Sequence, residues 1–406
     1  MKALLLTNEY PPNVYGGAGV HVEFLSRELA KLIDVDVRSF GDQEADDGRL
    51  KVRGYRLDDR GFTAPNNLTP VFGAFARNIA MAATNVDADV VHCHTWYSHL
   101  AGITVKQAYG IPLVLTTHSL EPLRPWKREQ LGGGYDASAW VERTALEMSD
   151  AIIAVSEGTR QDVLRLFNVD PERVHIIHNG IDLDMYQATT DTTAVERYGI
   201  DPTRPFVLFV GRITRQKGIV HLVRAIPELD PNVQIVLCAG APDTPEIAAE
   251  MAESVVVAQA ARPGVIWIQE MVSRDLVIQL YSQAAVFCCP SVYEPFGIIN
   301  LEAMACGTPV VATATGGIVE VVVDGETGVL VPLEQGGGQG SGPSSEPTDP
   351  EQFSHDLAAA LNRVLADAGL RERMGAAGRR RVEERFSWEA IAAQTVSLYE
   401  TLTAGR

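Results

Sequence analysis

Short apolar runs without alternation punctuate this chain, each followed by a turn and a helical stretch. In the first half they are Ala3–Thr7, Val35–Phe40, Val90–His94, Pro112–His118 and Ala151–Ser156. They are β-branched or Leu-rich, with no polar residue at every second position. Strands buried on both faces of a parallel sheet read this way. Helical stretches such as Val20–Leu32 and Ala139–Met148 lie between them. The second half repeats the theme with Phe206–Gly211, Val233–Ala239, Val265–Ile268, Ala285–Cys289, Pro309–Ala312 and Gly328–Val331. Two successive βαβ series predict an α/β chain of two doubly wound domains.

The polar, strand-free segment QATTDTTAVERYGIDPTRP reads as a linker, which places the boundary between Ile181 and Pro205. The expected domains are 1–185 and 200–387, with a last helix over Trp388–Leu402. A low-complexity stretch, EQGGGQGSGPSSEPTDP, runs from Glu334 to Pro350 and reads as a surface loop before a helix around His355–Leu365. Ligands of open α/β sheets bind beyond the carboxyl ends of strands, so the two domains are expected to face a central cleft there.

Charge narrows the partners. Lysine and arginine number 34 against 52 aspartate and glutamate, a net −18, which argues against nucleic acid or an anionic membrane as a general partner. Five cysteines with no Cys-x-x-Cys pair are not a disulfide framework, and Cys288 and Cys289 read as buried small hydrophobes. The apolar run in MKALLLTNEYPP is too short for a signal peptide, and no stretch reaches the roughly 18 residues of a membrane span. A cytoplasmic protein is the expectation.

Four motifs follow strands. Tyr15-Gly16-Gly17-Ala18-Gly19-Val20 opens a helix, where small residues let backbone N–H groups approach an anion. Arg212 and Lys217 bracket the loop Gly211–Gly218, a planar fork and a point charge suited to a diphosphate. In Ser291–Ala303, Glu294 and Glu302 flank a Pro-Phe-Gly turn that opens a helix. Its leading N–H groups, at Gly297, Ile298 and Ile299, suit phosphate oxygens, and the carboxylates suit hydroxyls. His92 and His94 share one strand face, but a metal site needs three or four convergent ligands, so no metal is expected. His118 ends another strand and is the candidate for a substrate contact. The long loop after it carries Arg124, Lys127 and Arg128 around Trp126, a mixture suited to a phosphorylated sugar.

Together these residues resemble a retaining glycosyltransferase of family 4. The likeness rests on Glu294-x7-Glu302, the Gly-Arg loop, the Gly-Gly-Ala-Gly turn and Thr-His-Ser, and it extends over essentially the whole chain. TNEYPPNVYGGAGVHV, HSLEPLRPWKREQLGGGY, GRITRQKG and PSVYEPFGIINLEAMACGTPVVAT are similar to the actinobacterial glycogen synthases. That group makes maltose-1-phosphate from ADP-glucose and glucose-1-phosphate. The resemblance implies the GT-B fold, no cofactor, and a last helix that crosses back to the first domain. It implies that Arg212 and Lys217 hold the donor diphosphate, Glu294 the transferred glucose and Glu302 the ribose. Gly16 and Gly17 would close over the distal phosphate, and Met271 and Val272 would lie near the base. Glu9, Tyr97, Ser119, Arg124 and Lys127 would meet the acceptor, glucose-1-phosphate or an α-glucan. A homodimer is compatible with this reading.

Three rivals stay open: a GT-B nucleotide-sugar epimerase, which would use several catalytic carboxylates in place of the Glu294 and Glu302 arrangement, a non-catalytic nucleotide-sugar binding module, and a family 4 transferase acting on inositol phosphate or a lipid. The binding module is disfavoured because Arg212, Lys217, Glu294 and His118 are all present. A lipid acceptor predicts a basic amphipathic surface helix, and Val20–Leu32 carries balanced charge. A chain-elongating glycogen synthase using ADP- or UDP-glucose also stays open.

Overall fold

Every apolar run named above becomes a parallel strand. The structure is a computed structural model that describes residues 1–14, 16–58, 61–65, 68–124, 127–128, 132–336 and 346–404. It divides into Met1–Gly180 with Trp388–Arg406, here unit 1, and Ile181–Ser387, unit 2.

Unit 1 carries β1 (Lys2–Leu6), β2 (Asp34–Phe40), β3 (Glu44–Asp47), β4 (Leu50–Tyr55), β5 (Val90–His94), β6 (Leu113–Thr117), β7 (Ala151–Ala154) and β8 (Val174–Ile176). They form one sheet in the order β3-β4-β2-β1-β5-β6-β7-β8, parallel except for the hairpin pair β3 and β4. Leu4 stands opposite Val91, and Val91 opposite Leu113, all sealed from solvent. Helices α1 (Gly17–Leu32), α2 (Thr69–Ala83), α3 (Trp96–Tyr109), α4 (Gly134–Met148) and α5 (Glu157–Leu166) join the strands. Ser156 caps α5 by accepting the Thr159 N–H, which satisfies a donor left free by the first turn. The C-terminal helix Trp388–Thr403 completes unit 1 and buries Trp388, Ile391, Leu398 and Tyr399.

Unit 2 carries β9 (Phe206–Arg212), β10 (Gln234–Gly240), β11 (Val265–Ile268), β12 (Val286–Cys289), β13 (Val310–Thr313) and β14 (Gly328–Val331). All pair in parallel, in the order β11-β10-β9-β12-β13-β14. Its helices are α6 (Thr193–Arg197), α7 (Ile219–Ala225), α8 (Pro245–Ala261), α9 (Arg274–Gln283), α10 (Ile298–Ala305), α11 (Ile318–Val321), α12 (Pro350–Ala366) and α13 (Ala368–Arg385). Phe209, Leu222, Leu237, Cys288, Val311 and Leu357 share its core.

The expected linker is structured. Within 187–205, α6 buries Ala194 and Val195, and the Ala194 N–H donates to Gln279 Oε1 at 2.7 Å. Hydrogen bonds from α9 to Thr189 and Asp191 reinforce that packing, so the segment belongs to unit 2. The Gly/Ser-rich stretch begins and ends as a short pair: Gln335 bridges Pro347, and the Thr348 N–H donates to Glu334 O at 2.8 Å. Residues 337–345 of it lie outside the described residues.

Strand order reverses between β1 and β5 in unit 1, and between β9 and β12 in unit 2. At such a switch point the connections leave in opposite directions and open a crevice beyond the strand ends. Both groups of motif residues stand at these points.

Candidate active site

In unit 2, β9 ends in Arg212 and runs into the loop that holds Lys217. Gly218 sits at φ 61°, and a Cβ there would lie 2.0 Å from the Pro290 carbonyl oxygen. Glycine at 218 thus lets this loop touch the end of β12, where the Val292 N–H also donates to Gln216 O at 2.9 Å. The contact brings Lys217 to Glu294. Lys217 Nζ donates to Glu294 Oε2 at 2.6 Å, and Ser291 Oγ donates to the same oxygen at 3.1 Å. Among the described residues both contacts fall on Oε2, which leaves Oε1 for a hydroxyl. The pair is largely buried, with side chains 19% and 9% exposed. Arg212 pairs with Asp243 at 3.0 Å.

The Pro-Phe-Gly turn is gripped from β13. Gly317 N–H donates to Glu294 O at 3.0 Å, and a Cβ on Gly316 would fall 1.9 Å from that oxygen. Gly297, at φ 92°, leads into α10, whose first turn leaves the Ile298 and Ile299 N–H groups without intrahelical partners. Glu302 lies just over one turn into α10. Tyr186 donates to its Oε1 at 2.8 Å and Tyr281 to its Oε2 at 3.0 Å. Burial raises its pKa, and the two phenols oppose that rise. Each oxygen keeps a lone pair that a further hydroxyl can use. Met271 and Val272 follow β11, Met271 with its side chain in solvent.

In unit 1, β1 runs out into Thr7-Asn8-Glu9. Glu9 Oε2 accepts the Gly16 N–H at 2.8 Å, just where α1 starts. A Cβ on Gly19 would lie 2.7 Å from the same oxygen, so the small residues of this turn make room for Glu9. Beyond β5, Thr95 holds φ 67°, a strained value for a β-branched residue, and donates to Asn8 Oδ1 at 2.8 Å. Tyr97, in the first turn of α3, stacks on Trp96 at 4.1 Å between ring centres. Tyr15 and Trp126 lie outside the described residues.

The histidines pair differently from their spacing. His92 and His94 do share a face, 4.2 Å between ring centres. His92, however, is engaged by Tyr399 Oη at 2.6 Å and Thr116 Oγ1 at 2.7 Å. His94 Nδ1 meets His118 Nε2 at 3.1 Å, and His21 from α1 joins them. Burial lowers His21 to about 4 and holds His94 and His118 well below the usual imidazole range. The expectation of two convergent histidines is therefore corrected to three. His21 was missed because α1 brings it from far along the chain, and no local spacing betrays it.

The cationic loop is also more committed than its sequence suggests. Arg128 is held by both Asp136 oxygens, at 2.7 and 3.1 Å. Arg124 donates to Ser119 Oγ at 3.1 Å and pairs with Glu121 at 3.5 Å, while Lys127 is buried. Glu121 is itself fixed by Ser138, and its N–H donates to Glu142 Oε2 at 2.8 Å. Burial and the neighbouring Glu121 keep the Glu142 carboxyl well above the usual range. Asp243, Gly316, Gly317, Tyr186, Tyr281, Glu121 and Glu142 were not singled out in the sequence. The Gly-Gly pair after β13 was the available signal.

Two family profiles cover this architecture. Residues 15–185 match Glycosyltransferase Family 4, and residues 191–335 match Glycosyl transferases group 1. The alpha-maltose-1-phosphate synthase of Mycolicibacterium smegmatis is 48% identical over 408 residues, 100% of each chain. This chain belongs to glycosyltransferase family 4. The same-named protein of Mycobacterium tuberculosis is 47% identical to this family 4 enzyme over 409 residues, again 100% of each chain. Among solved structures, the sucrose-phosphate synthase from Thermosynechococcus elongatus covers 100% of both chains with a TM-score of 0.78 and 26% identity. The catalytic domain of starch synthase IV from Arabidopsis thaliana, bound to ADP and acarbose, matches with a TM-score of 0.73 at 18% identity, over 100% of this chain and 99% of that one. The fold of this glycosyltransferase is GT-B. No helix among its described residues is long and apolar enough to cross a membrane.

Proposed function

We propose that this glycosyltransferase moves glucose from ADP-glucose to α-glucose-1-phosphate with retention, forming maltose-1-phosphate. The reading is carried by full-length identity to the mycobacterial alpha-maltose-1-phosphate synthases. The paired Lys217 and Glu294 at the switch point of unit 2 support its donor half.

Unit 2 takes the donor. Lys217, Arg212 and the N–H groups of Gly297, Ile298 and Ile299 receive the diphosphate. Glu294 Oε1 accepts from glucose hydroxyls, Glu302 from the ribose, and Met271 and Val272 flank the base. Unit 1 supplies Gly16 and Gly17 for the distal phosphate, His118 for the sugar, and Glu9, Tyr97, Ser119, Arg124 and Lys127 for the acceptor.

Attack comes from the face that the diphosphate leaves. The acceptor hydroxyl oxygen bonds to C1 as the C1–O bond to the diphosphate breaks, and the hydroxyl proton passes to the departing phosphate oxygen. Negative charge grows on that diphosphate. Preorganised cations and helix N–H groups stabilise it more in the transition state than in the ground state.

The test is product analysis with labelled ADP-glucose, and separately UDP-glucose, against glucose-1-phosphate and glycogen at equal concentrations of acceptor ends. Maltose-1-phosphate should dominate with ADP-glucose. Label passing mainly into glycogen would overturn the reading in favour of a chain-elongating synthase.

A further inference from the structure

Unit 1 assembles three imidazoles, of which the proposed chemistry uses one. His21, His94 and His118 offer ring nitrogens that all lie within 4.8 Å of one another. Their ring centres are 5.3, 4.7 and 5.4 Å apart, taking His21–His94, His21–His118 and His94–His118 in turn. Three imidazoles on one tetrahedral ion, at roughly 2.0–2.1 Å per bond, hold their ring centres about 5 Å apart. The 3.1 Å between His94 Nδ1 and His118 Nε2 is near the roughly 3.3 Å edge of such a tetrahedron.

A second observation points to a ligand. His21 Nε2 is buried with no hydrogen-bond partner among the described residues. Buried polar nitrogens are ordinarily satisfied. On its other side, His21 Nδ1 lies 2.6 Å from Asn179 Oδ1. With that oxygen accepting, Nδ1 carries the proton and Nε2 turns a lone pair into the cluster. Metal-bound histidines are oriented in this way by an outer acceptor. His118 is part-exposed, which gives an ion a way in.

We propose that His21, His94 and His118 form a transition-metal site, and that Zn2+ bound there silences the enzyme by occupying His118. The silencing, though not the binding, rests on the sugar contact proposed for His118. The proton shared by His94 and His118 moves to an outer ring nitrogen when the ion takes its place. With three neutral ligands and no carboxylate, the ion keeps its charge and an open position for hydroxide or chloride. Imidazoles select zinc, cobalt, nickel and copper over magnesium and calcium.

The full chain, stripped with EDTA and desalted, is titrated with Co2+ and followed by visible absorption. A tetrahedral Co2+ spectrum that saturates at one equivalent and is displaced by Zn2+, but not by Mg2+, is expected. Asn179→Ala should weaken binding roughly tenfold or more, and His94→Ala further. Zn2+ should stop glucosyl transfer and EDTA should restore it. Absence of the cobalt spectrum in the unmodified protein overturns the site, whatever the variants do. Undiminished affinity in folded His94→Ala overturns the ligand set. Binding with full activity overturns the silencing and, with it, the proposed role of His118.

Discussion

Unit 1 ends β5 in one imidazole and follows β6 with another, whereas unit 2 follows β9 and β12 with a lysine and a carboxylate. Both groups stand beside the strand-order reversal of their sheet, and both are largely buried, with His118 and Lys217 half-buried. They meet the cost of burying ionisable groups in opposite ways. Unit 2 keeps its charges and neutralises them in pairs, Lys217 with Glu294 and Arg212 with Asp243. Unit 1 keeps neutrality by shedding protons from His21, His92, His94, His99 and His118. A paired cation can exchange its carboxylate for an incoming diphosphate. A neutral imidazole can meet a sugar hydroxyl, or a metal, without first losing a proton.

The sharpest way to break this contrast is Lys217→Ala. Losing one preorganised contact to a developing anion, about 3 kcal/mol, should lower turnover roughly 100-fold or more. It also strands the Glu294 carboxylate at 7% exposure, so the melting temperature should fall as well. Adding Glu294→Gln should recover the melting temperature but not the rate. Steady-state rates near wild type in Lys217→Ala would remove the diphosphate role.

Acid separates the units next. A buried histidine with a lowered pKa binds its proton only on unfolding. Its contribution is complete above pH 6.5 and is lost as pH falls toward about 4 for His21 and about 3 for His92 and His99. In unit 1 the raised carboxyl of Glu142 opposes five such imidazoles. In unit 2 Glu302 has the opposite sign: its raised pKa makes its contribution greatest below 4.5 and smaller as pH rises. Hydrogen exchange between pH 7 and pH 4.5 should therefore show β5 and β6 losing protection before β9 and β12. Equal loss in both sheets would contradict this account.

A smaller effect is expected at the acceptor. Lys127→Ala should raise the KM for glucose-1-phosphate roughly tenfold, the weight of a hydrogen bond to a charged group, and leave that for ADP-glucose nearly unchanged. Added salt should weaken glucose-1-phosphate more than a neutral acceptor. An unchanged KM would make this loop structural. Chelation should do least: EDTA should leave the rate intact, or raise it where zinc has co-purified. A loss of activity on chelation that added zinc restores would overturn the silencing assigned to the histidine cluster.

The legibility of the sequence follows the same physics. Strands buried on both faces announce themselves as apolar runs, so β1, β5, β9 and β12 were evident. The hairpin strand Glu44–Asp47 is exposed throughout and acidic, so no apolar signal marked it. Helix α13 is mostly polar, and α6 docks by only Ala194 and Val195. The unit 2 motifs were legible because Gly218 and Gly297 are demanded by local backbone geometry. The partners of those motifs were not. Asp243, Tyr186 and His21 reach the sites from other elements, and only the sheet order brings them there.

Unit 1 is written in two pieces, with all of unit 2 between them. On the ribosome, β9 through β14 emerge before Trp388–Thr403 does. Unit 2 can therefore finish folding while unit 1 still lacks the helix that packs beside α1. Until then His92 has no Tyr399 to bond, and His21 has no Trp388 ring at its edge. The histidine cluster thus cannot settle until the chain that follows all of unit 2 has been made.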